Sequence, residues 1–456
     1  MIGISHEGTK ERTVGEVAAT NEASQVPWQR CAKSDWPATR AKHVFDISLG
    51  KMLQPTSINP DDVEAPYIKA ADVQWDDTNI EDLPTMWASL GEIKTLNLKV
   101  GDLLVCEGGE GGRASILKKE PPENCIYQNA LHRVRSKNND VRYLKYCLKQ
   151  ASEAGWFDVL CNRATIAHFT VEKFRELRIH IPPAETQRLI ANYLDRETAR
   201  IDGLIAEKER MLALLEEKRA ALISRVVTRG LDPNAPLKPS SQEWLGEIPM
   251  HWGLQRLKQL SEVRGGLTLG KQYSGELLEY PYLRVANVQD GYLKLDDILT
   301  VEVPASEAAS NLLAFGDVLM NEGGDIDKLG RGCVWREEIT PCLHQNHVFA
   351  VRPHSVGSDW LALWTSTLEA KRYFESRAKR STNLASISGS NIKELPVPLP
   401  PTDEQNAIQL FLAVRQARLE KIRSELRASL KLLAERRAAL ITAAVTGQIP
   451  LEAMRE

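Results

Sequence analysis

Apolar residues recur at steps of three and four positions along two long stretches of the chain. In residues 184–228 they form one stripe, while glutamate, lysine and arginine fill the other faces, which is typical of an amphipathic helix. Adding 218 to these positions gives a second apolar stripe in residues 401–446. At about 1.5 Å per residue each predicted helix is roughly 65 Å long. Helices of this length need a partner, and we expect them to pack against each other through Ile190, Leu194, Ile201, Leu204, Leu215, Leu222, Ile408, Leu412, Leu419, Ile422, Leu433 and Leu440.

The stripe is part of a repeat that extends over most of the chain. The run Ile181–Gln187 returns as Leu399–Gln405, a shift of 218 positions (399 − 181). The run Pro66–Val73 returns as Pro281–Val288, a shift of 215 (281 − 66). Solenoid repeats span only 20–50 residues, so this period predicts two copies of one domain-plus-helix unit.

Punctuating residues mark both ends of each predicted helix. A pair of prolines precedes each one, and Thr402 with Gln405 fits a capping box at the second. The first helix has Ala184 at the equivalent position, which predicts a weaker cap. Gly230 and Gly447 follow the last turns, where a left-handed residue is favoured.

The order of the segments predicts an antiparallel helix pair. The second globular copy joins the end of the first helix to the start of the second, and the termini of a compact domain lie close together. We therefore expect two globular domains at opposite poles, like a dumbbell.

Both copies mix β-type runs such as Asp102–Cys106 with helical runs such as Tyr143–Ser152 and Asp359–Arg377, so the predicted fold class is α+β, with two pseudo-repeated domains and an intramolecular coiled coil. The predicted boundaries are an N-terminal arm (1–25), domain 1 (26–183), helix 1 (184–228), a Pro-rich linker (229–246), domain 2 (247–400), helix 2 (401–446) and a C-terminal tail (447–456).

Composition indicates a soluble cytoplasmic protein. Of 456 residues, 43% are apolar and 26% are charged, and no stretch of 18 uncharged apolar residues could cross a membrane. The N-terminus lacks the apolar core of a signal peptide. The seven cysteines show no C-x-x-C spacing, which favours scattered reduced thiols over a zinc or redox motif.

The repeated motifs resemble those of the specificity subunits of type I restriction–modification systems. The resemblance covers nearly the whole length and depends on the two Pro-Pro-x-x-x-Gln helix starts, their Ala-Ala-Leu-Ile helix ends, and the opening Trp244–Trp252 of the second copy. Val26-Pro27-Trp28 is interpreted as a shortened form of that opening in the first copy. The resemblance implies two target-recognition domains that each bind one half of a split double-stranded DNA site. The helices then set the spacer and dock methyltransferase subunits.

Glycine-rich loops occur at matching places in both copies. Glu107-Gly108-Gly109 is mirrored by Glu322-Gly323-Gly324, but neither continues into the Lys-Ser/Thr of a phosphate-binding loop. An acidic loop repels phosphate, so we interpret each as a tight turn that brings the backbone close to another surface. Arg113 and Arg331 follow these loops and are candidates for contact with DNA.

The candidate DNA-binding residues fall into three groups. Amide side chains can bond adenine in the major groove, although these amides could equally close a turn. Polar segments before the last strand of each copy differ between copies, as two unlike half-sites require. Basic residues in the β-rich parts are either solvated surface or phosphate contacts. The candidates are Lys51, Lys69, Arg113, Lys118, Gln128, Asn129, Arg163, Thr165, Arg264, Lys271, Arg284, Arg331, Gln345, Asn346, Arg380 and Asn383.

Several enzymatic motifs are absent from the sequence. There is no glycine-rich S-adenosylmethionine fingerprint, no Asn-Pro-Pro-aromatic or Pro-Cys methylation motif, no Walker motif and no cluster with metal-ligand spacing. We therefore expect a non-catalytic chain without its own cofactor or metal. By the resemblance, S-adenosylmethionine binds to the methyltransferase subunits, two of which are expected, and ATP with Mg to a restriction/translocase subunit. The net charge of −3 fits a grip on DNA that is shared with partners. The alternative is a reader in a related methyltransferase or nuclease system with some catalytic role, and a further one is a coiled-coil scaffold.

Overall fold

The fold is that of a computed structural model, which describes residues 27–29, 35–160, 168–380 and 384–455. The predicted arm 1–25 and the candidates Arg163, Thr165 and Asn383 lie outside the described residues. Contacts divide the chain into unit 1 (Met1–Glu207 with Ser429–Glu456) and unit 2 (Lys208–Ala428). Each long helix therefore contributes one part to each unit.

Unit 1 is a mixed α and β structure. Its strands are β1 (Ala38–Arg40), β2 (Asp46–Leu49), β3 (Val63–Ile68), β4 (Val73–Gln74), β5 (Asp77–Thr78), β6 (Thr85–Ala88), β7 (Leu103–Cys106), β8 (Ala114–Ile116), β9 (Ile126–Tyr127), β10 (Leu131–Arg135) and β11 (Arg178–His180). Its helices are α1 (Leu90–Leu96), α2 (Val141–Glu153), α3 (Trp156–Leu160), α4 (Val171–Glu176) and the first part of α5 (Ala184–Arg229).

Unit 2 repeats this arrangement with small additions. Its strands are β12 (Leu237–Pro239), β13 (Glu247–Pro249), β14 (Gly253–Arg256), β15 (Ser261–Arg264), β16 (Leu278–Leu283), β17 (Leu299–Val303), β18 (Val318–Asn321), β19 (Gly323–Gly324), β20 (Gly332–Val334), β21 (Leu343–His344), β22 (Val348–Pro353), β23 (Lys379–Arg380), β24 (Ala385–Ser386) and β25 (Pro396–Leu399). Its helices are α6 (Ala305–Asn311), α7 (Ser358–Thr365), α8 (Leu368–Arg377), α9 (Gly389–Lys393) and the first part of α10 (Thr402–Val445).

The two units share one strand order. A four-stranded antiparallel sheet runs β2-β10-β7-β8 in unit 1 and β15-β22-β18-β20 in unit 2. A three-stranded sheet runs β6-β3-β9 and β17-β16-β21, with the last pair parallel in both. Strands β1 and β11 form a two-stranded antiparallel sheet in unit 1, as β14 and β25 do in unit 2. The sequence repeat is thus a structural repeat.

The sequence analysis treated Asp359–Arg377 as one helical run, and the structure corrects this to two helices. Helix α7 ends before Ser366, and Thr367 then caps α8, where its hydroxyl oxygen accepts from the amide of Ala370 (3.2 Å). Threonine competes with the helix backbone for hydrogen bonds and is therefore favoured at such a cap.

The long helices are antiparallel within each unit. In unit 1 the Nε of Arg437 donates to Asp202 (2.8 Å), and Ile190 shares a buried core with Ile441, later in α10. In unit 2 Arg423 pairs with Glu216 (2.9 Å), while Val226, Ile408 and Leu412 share the core of that unit. In both units a later residue of one helix meets an earlier residue of the other, as the sequence predicted.

The starts of the long helices are built differently from the expected capping box. Thr402 is the first helical residue, and the side chain of Gln405 donates to the carbonyl of Pro400 (2.9 Å). The equivalent Gln187 donates to the carbonyl of Pro182 (2.8 Å). The prediction of a Thr402–Gln405 box is therefore wrong. Both helices have this glutamine, and in each its side chain links the first turn of the helix to the proline segment that follows the preceding strand.

The predicted apolar stripe is buried only near the globular domains. Ile190, Leu194, Ile201, Ile408 and Leu412 are buried. Leu204, in contrast, is 40% exposed, because two helices alone cannot cover a full stripe in the middle of their length. The other residues predicted to pack there are half-buried: Leu215, Leu222, Leu419, Ile422, Leu433 and Leu440.

The opening of the first domain also differs from the interpretation of the sequence. Ala38 pairs with His180 as Leu254 pairs with Pro398, which places Trp36 at the position of Trp252. Both of these indoles are buried. Trp28 precedes Trp36 by eight residues, as Trp244 precedes Trp252. The opening in the first copy is therefore full-length, and Val26, with which the shortened motif began, lies outside the described residues.

Candidate nucleic-acid interface

Three segments with candidate residues meet at one edge of unit 2. The amide of Glu322, which starts the glycine-rich loop, donates to the carbonyl of His347 in the amide turn (2.9 Å). The amide of Ile387 donates back to the carbonyl of Glu322 (2.8 Å). Strand β24 pairs on one side with the glycine-rich β19 and on the other with β23, which contains Arg380. We call this meeting of the loop, the turn and the polar segment the reading edge of unit 2.

Unit 1 has the same reading edge. The amide of Glu107 donates to the carbonyl of Ala130 (2.9 Å), and the amide of Phe169 donates to the carbonyl of Glu107 (2.7 Å). Ala130 lies in the amide turn, and Phe169 follows the segment that holds Arg163 and Thr165. The loop, the turn and the polar segment are far apart in the sequence, and the fold brings their described parts together in both units.

Backbone hydrogen bonds close the amide turns. The amide of Leu131 donates to the carbonyl of Gln128 (2.9 Å), and the amide of Val348 donates to the carbonyl of Gln345 (2.9 Å). The side chains of Gln128, Asn129, Gln345 and Asn346 are half-exposed. No hydrogen bond joins any of these four side chains to another described residue. Main-chain hydrogen bonds alone close both turns, so the side-chain amide groups remain available to a ligand.

The glycine-rich loops make a close approach to an aromatic ring. Gly112 and Gly330 have positive φ angles (83° and 66°). A Cβ atom added to Gly112 would lie 2.2 Å from the Phe157 ring, and one at Gly330 would lie 2.4 Å from the Phe374 ring. The loop is thus a tight turn against the domain's own core. The next residue is Arg113 or Arg331, and Arg113 donates to the carbonyl of Ala70 (3.0 Å).

Two of the basic candidates form ion pairs inside their own domains. Lys51 pairs with Glu92 (2.6 Å) and has only 10% of its side chain exposed; the hydrogen bond from Lys51 lowers the pKa of Glu92. Arg264 is 16% exposed and pairs with the buried Asp317 (3.2 Å). Both side chains hold strands and helices together, which leaves little of either for phosphate contact.

The other basic candidates lie at the surface to different degrees. Lys69, Lys118 and Arg380 are exposed. Lys271 pairs with Glu307 (3.2 Å), and Arg284 pairs with the exposed Asp297 (2.5 Å). Surface pairs of this kind contribute little stability, so phosphate oxygens can replace the carboxylate at small cost.

Sequence reasoning missed two glycines behind the amide turns. A Cβ atom on Gly50 would lie 2.3 Å from the carbonyl oxygen of Gln128, and one on Gly266 would lie 2.1 Å from the carbonyl oxygen of His344. Only glycine allows the two backbones to approach this closely. The two positions differ by 216 (266 − 50), within the range of the other shifts, so the repeat itself is the signal that could have found them.

A buried histidine beside the second amide turn makes unit 2 sensitive to acid. The Nδ1 of His344 bonds the carbonyl of Val348 (2.6 Å), while its Nε2 is buried without a partner. Burial lowers the pKa of His344 to about 4. Since the unfolded value is about 6.5, stability is present above pH 6.5 and is lost as the pH falls through 4.

We expect this histidine to cost unit 2 about 3 kcal/mol of unfolding free energy between pH 6.5 and pH 4. His344→Asn keeps a donor for the carbonyl of Val348 but cannot titrate. The measurement is urea denaturation as a function of pH, followed by the fluorescence of the buried tryptophans. The difference between the two proteins should shrink in acid, and a constant difference would contradict the assignment.

The described residues contain no group of three or more histidine, cysteine, aspartate or glutamate side chains that could hold a metal ion. Within the same residues, no helix is long and apolar enough to span a membrane.

Part of this chain is similar to a known family of protein domains. Residues 33–210 match the family model of the type I restriction modification DNA specificity domain. The matched residues lie almost entirely in unit 1, and their similarity to this domain agrees with the resemblance seen in the sequence.

Several known proteins are similar to this chain, among them two specificity subunits and one solved structure. The putative type I restriction enzyme MjaX specificity subunit of Methanocaldococcus jannaschii is 29% identical over 37% of this chain and 40% of that protein. The type I restriction enzyme EcoKI specificity subunit of Escherichia coli K12 is 26% identical over 54% of this chain and 52% of that protein. The chain therefore spans about half or less of the length of these relatives. A chain from a structure of the type I R-M system has a TM-score of 0.66 at 16% identity and covers 92% of this chain and 99% of its own length, which shows a shared fold.

Proposed function

We propose that this chain is the DNA sequence-specificity subunit of a type I restriction–modification complex. Each unit binds one half of a bipartite double-stranded DNA site through its reading edge, and α5 with α10 sets the length of the spacer. The observation that carries the proposal is the duplicated reading edge, built on one strand order in two units. The match of residues 33–210 to a DNA specificity domain supports it.

The helix pair of unit 2 offers a surface for partner subunits. A groove of about 640 Å³ lies between the helices, and its floor includes Leu222, Phe411 and Ile422. Four cations line it, and among the described residues none of them has an ion-pair partner: Lys218, Arg225, Arg415 and Arg418. Apolar surface inside a charged rim is typical of a docking site.

We assign this groove to methyltransferase subunits, of which two bind per chain. Restriction/translocase subunits complete the complex. In this proposal S-adenosylmethionine belongs to the methyltransferase subunits and ATP with Mg to the translocase. The specificity chain itself is non-catalytic, binds no cofactor and works in the cytoplasm.

The proposal is tested by methylome sequencing of cells that express this chain with its partner methyltransferase. We expect methylation at a two-part site with an unspecified spacer. A variant with four residues inserted between 207 and 208, and four more between 428 and 429, lengthens both helices by about 6 Å. Its spacer should grow by one or two base pairs, because DNA rises about 3.4 Å per pair.

Both bipartite halves should keep their sequences in the insertion variant, which is the internal control. An unchanged spacer would refute the role of the helices in setting distance. Methylation without a two-part site in the unmodified chain would refute the proposed function itself.

A further inference from the structure

Each reading edge contains a glutamate whose carboxylate faces a histidine. In unit 2 the Nδ1 of His347 lies 2.7 Å from an oxygen of Glu322. In unit 1 the equivalent Glu107 lies 3.9 Å from His168 and 3.8 Å from His132. The glutamates occupy the same place in the fold, but the facing histidines come from different segments.

The carboxylates are not needed to hold the backbone. The main-chain amide and carbonyl of Glu322 make the two bonds that join loop, turn and polar segment, and those of Glu107 do the same in unit 1. Among described residues, the carboxylate of Glu322 has the histidine as its one hydrogen-bond partner. The side chain is about a quarter exposed, so it is fixed in direction and still open to a ligand.

The surroundings of Glu322 favour an approaching polyanion. A cavity of about 540 Å³ is lined by Glu322, Gly323, Gly324 and His347 together with Lys379 and Arg380. Both cations are exposed and can contact phosphate oxygens. A carboxylate in that position repels phosphate, so it is compatible with bound DNA only where it meets a hydrogen-bond donor.

The major groove offers that donor. Cytosine presents its N4 amino group there and adenine its N6 amino group, whereas guanine and thymine present acceptors. A glutamate that accepts from an amino group therefore discriminates bases, while an amide side chain, which also donates, discriminates less. Charge repulsion from phosphate and the pattern of donors in the major groove both favour a carboxylate that accepts a hydrogen bond from a base amino group.

We infer that Glu322 and Glu107 are specificity-determining residues, each accepting a hydrogen bond from the exocyclic amino group of cytosine or adenine in its own half-site. His347 is a positioning residue that orients the carboxylate of Glu322 through a hydrogen bond, while His168 lies 3.9 Å from the carboxylate of Glu107. Since Ala130 stands where unit 2 has His347, the histidine beside each carboxylate comes from a different segment in the two units. The two units can therefore read different bases with the same acceptor. This inference depends on the proposed function.

The test uses the full chain assembled with its methyltransferase partner. Binding is measured at fixed salt on a DNA library in which one base pair at a time is randomised. Glu322→Gln should reduce discrimination at one base pair of one half-site by roughly ten-fold and leave the other half unchanged. Glu107→Gln should do the same in the opposite half.

Two further variants separate base reading from general damage. His347→Ala places in unit 2 the residue that unit 1 has, and it should alter preference at the same base pair as Glu322→Gln. Glu302→Gln changes an exposed carboxylate on β17, away from the reading edge, and should leave every position unchanged.

The outcomes are distinct. Equal loss of affinity for all sequences in Glu322→Gln, or no change in either half, would overturn the inference. If Glu322→Gln fails to fold, as judged by circular dichroism, His347→Ala decides by the same base-preference profile. Absence of a bipartite site in the unmodified complex would instead refute the proposed function.

Discussion

Given the proposed function, exchanging residues 247–400 for the equivalent domain of a known specificity subunit is expected to replace one half of the methylated site completely and to leave the other half intact. The loop, turn and polar segment of the unit 2 reading edge all lie within these residues. Strands β14 and β25 pair with each other near the two ends of the exchanged piece, so this pairing stays within it, whereas β13 pairs with β12, which lies outside it. Methylome sequencing of the chimera gives the measurement.

The joint to the helix pair must be kept in this chimera. The indole of Trp252 and the ring of His251 both bond the carboxylate of Glu404 in α10 (3.0 and 2.8 Å). The donor domain is chosen so that it retains this Trp-to-Glu contact. An exchange of residues 26–183 is the matched control, and it should alter the opposite half of the site. Simultaneous change of both halves would contradict the model of two independent readers.

Asp317→Ala is expected to lower the unfolding free energy of unit 2 by about 3 kcal/mol. This carboxylate is fully buried and accepts from both nitrogens of Arg352 that face it (2.7 Å each) and from the amide of Ala314 (2.9 Å). Arg264 adds a fourth contact at 3.2 Å. Removing the carboxylate leaves the largely buried Arg264 (16% exposed) and the partly exposed Arg352 (38% exposed) without their counter-charge, which is the costly way to break an ion pair.

Urea denaturation of the purified chain measures this loss. Asp296→Ala removes an exposed carboxylate of the same domain and should stay within about 0.5 kcal/mol of the unmodified protein. Asp102→Ala gives a comparison in unit 1, where Arg135 makes the same two-nitrogen contact but a serine, Ser48, replaces the second arginine. A stability of Asp317→Ala equal to that of Asp296→Ala would show that the pair is not structural.

The sequence was most informative where structure is local. A period of 3.6 and flanking Pro and Gly residues predicted helices over 184–228 and 401–446, and the structure has them at Ala184–Arg229 and Thr402–Val445. Antiparallel pairing followed from the order of segments alone. The α+β class with a duplicated domain is likewise confirmed.

Features that depend on long-range contacts could not be derived in the same way. The meeting of Glu322, His347 and Ile387 joins positions up to 65 residues apart (387 − 322), and no local pattern encodes such pairing. The burial of Arg264 was hidden for the same reason, since an arginine in a strand looks the same whether or not a distant Asp317 neutralises it. The capping box at Thr402 failed because Thr402 is the first helical residue and not the residue that precedes the helix. The side chain of Gln405 acts instead as a donor, to the carbonyl of Pro400.

The composition of the unit 1 core has a consequence for synthesis of the chain. Ile441, Ala444, Val445 and Met454 belong to the same buried cluster as Trp36 and Phe45. The hydroxyl of Tyr143 donates to the carbonyl of Val445 (3.3 Å), so the unit 1 core is complete only when residues 441–454 are in place. Between residues 207 and 441 the ribosome adds 234 residues (441 − 207), which takes about 10 to 50 seconds at roughly 5–20 residues per second. Throughout this interval the apolar surface of the first domain that residues 441–454 cover stays exposed. A nascent chain interrupted before residue 429 presents that surface to chaperones and proteases.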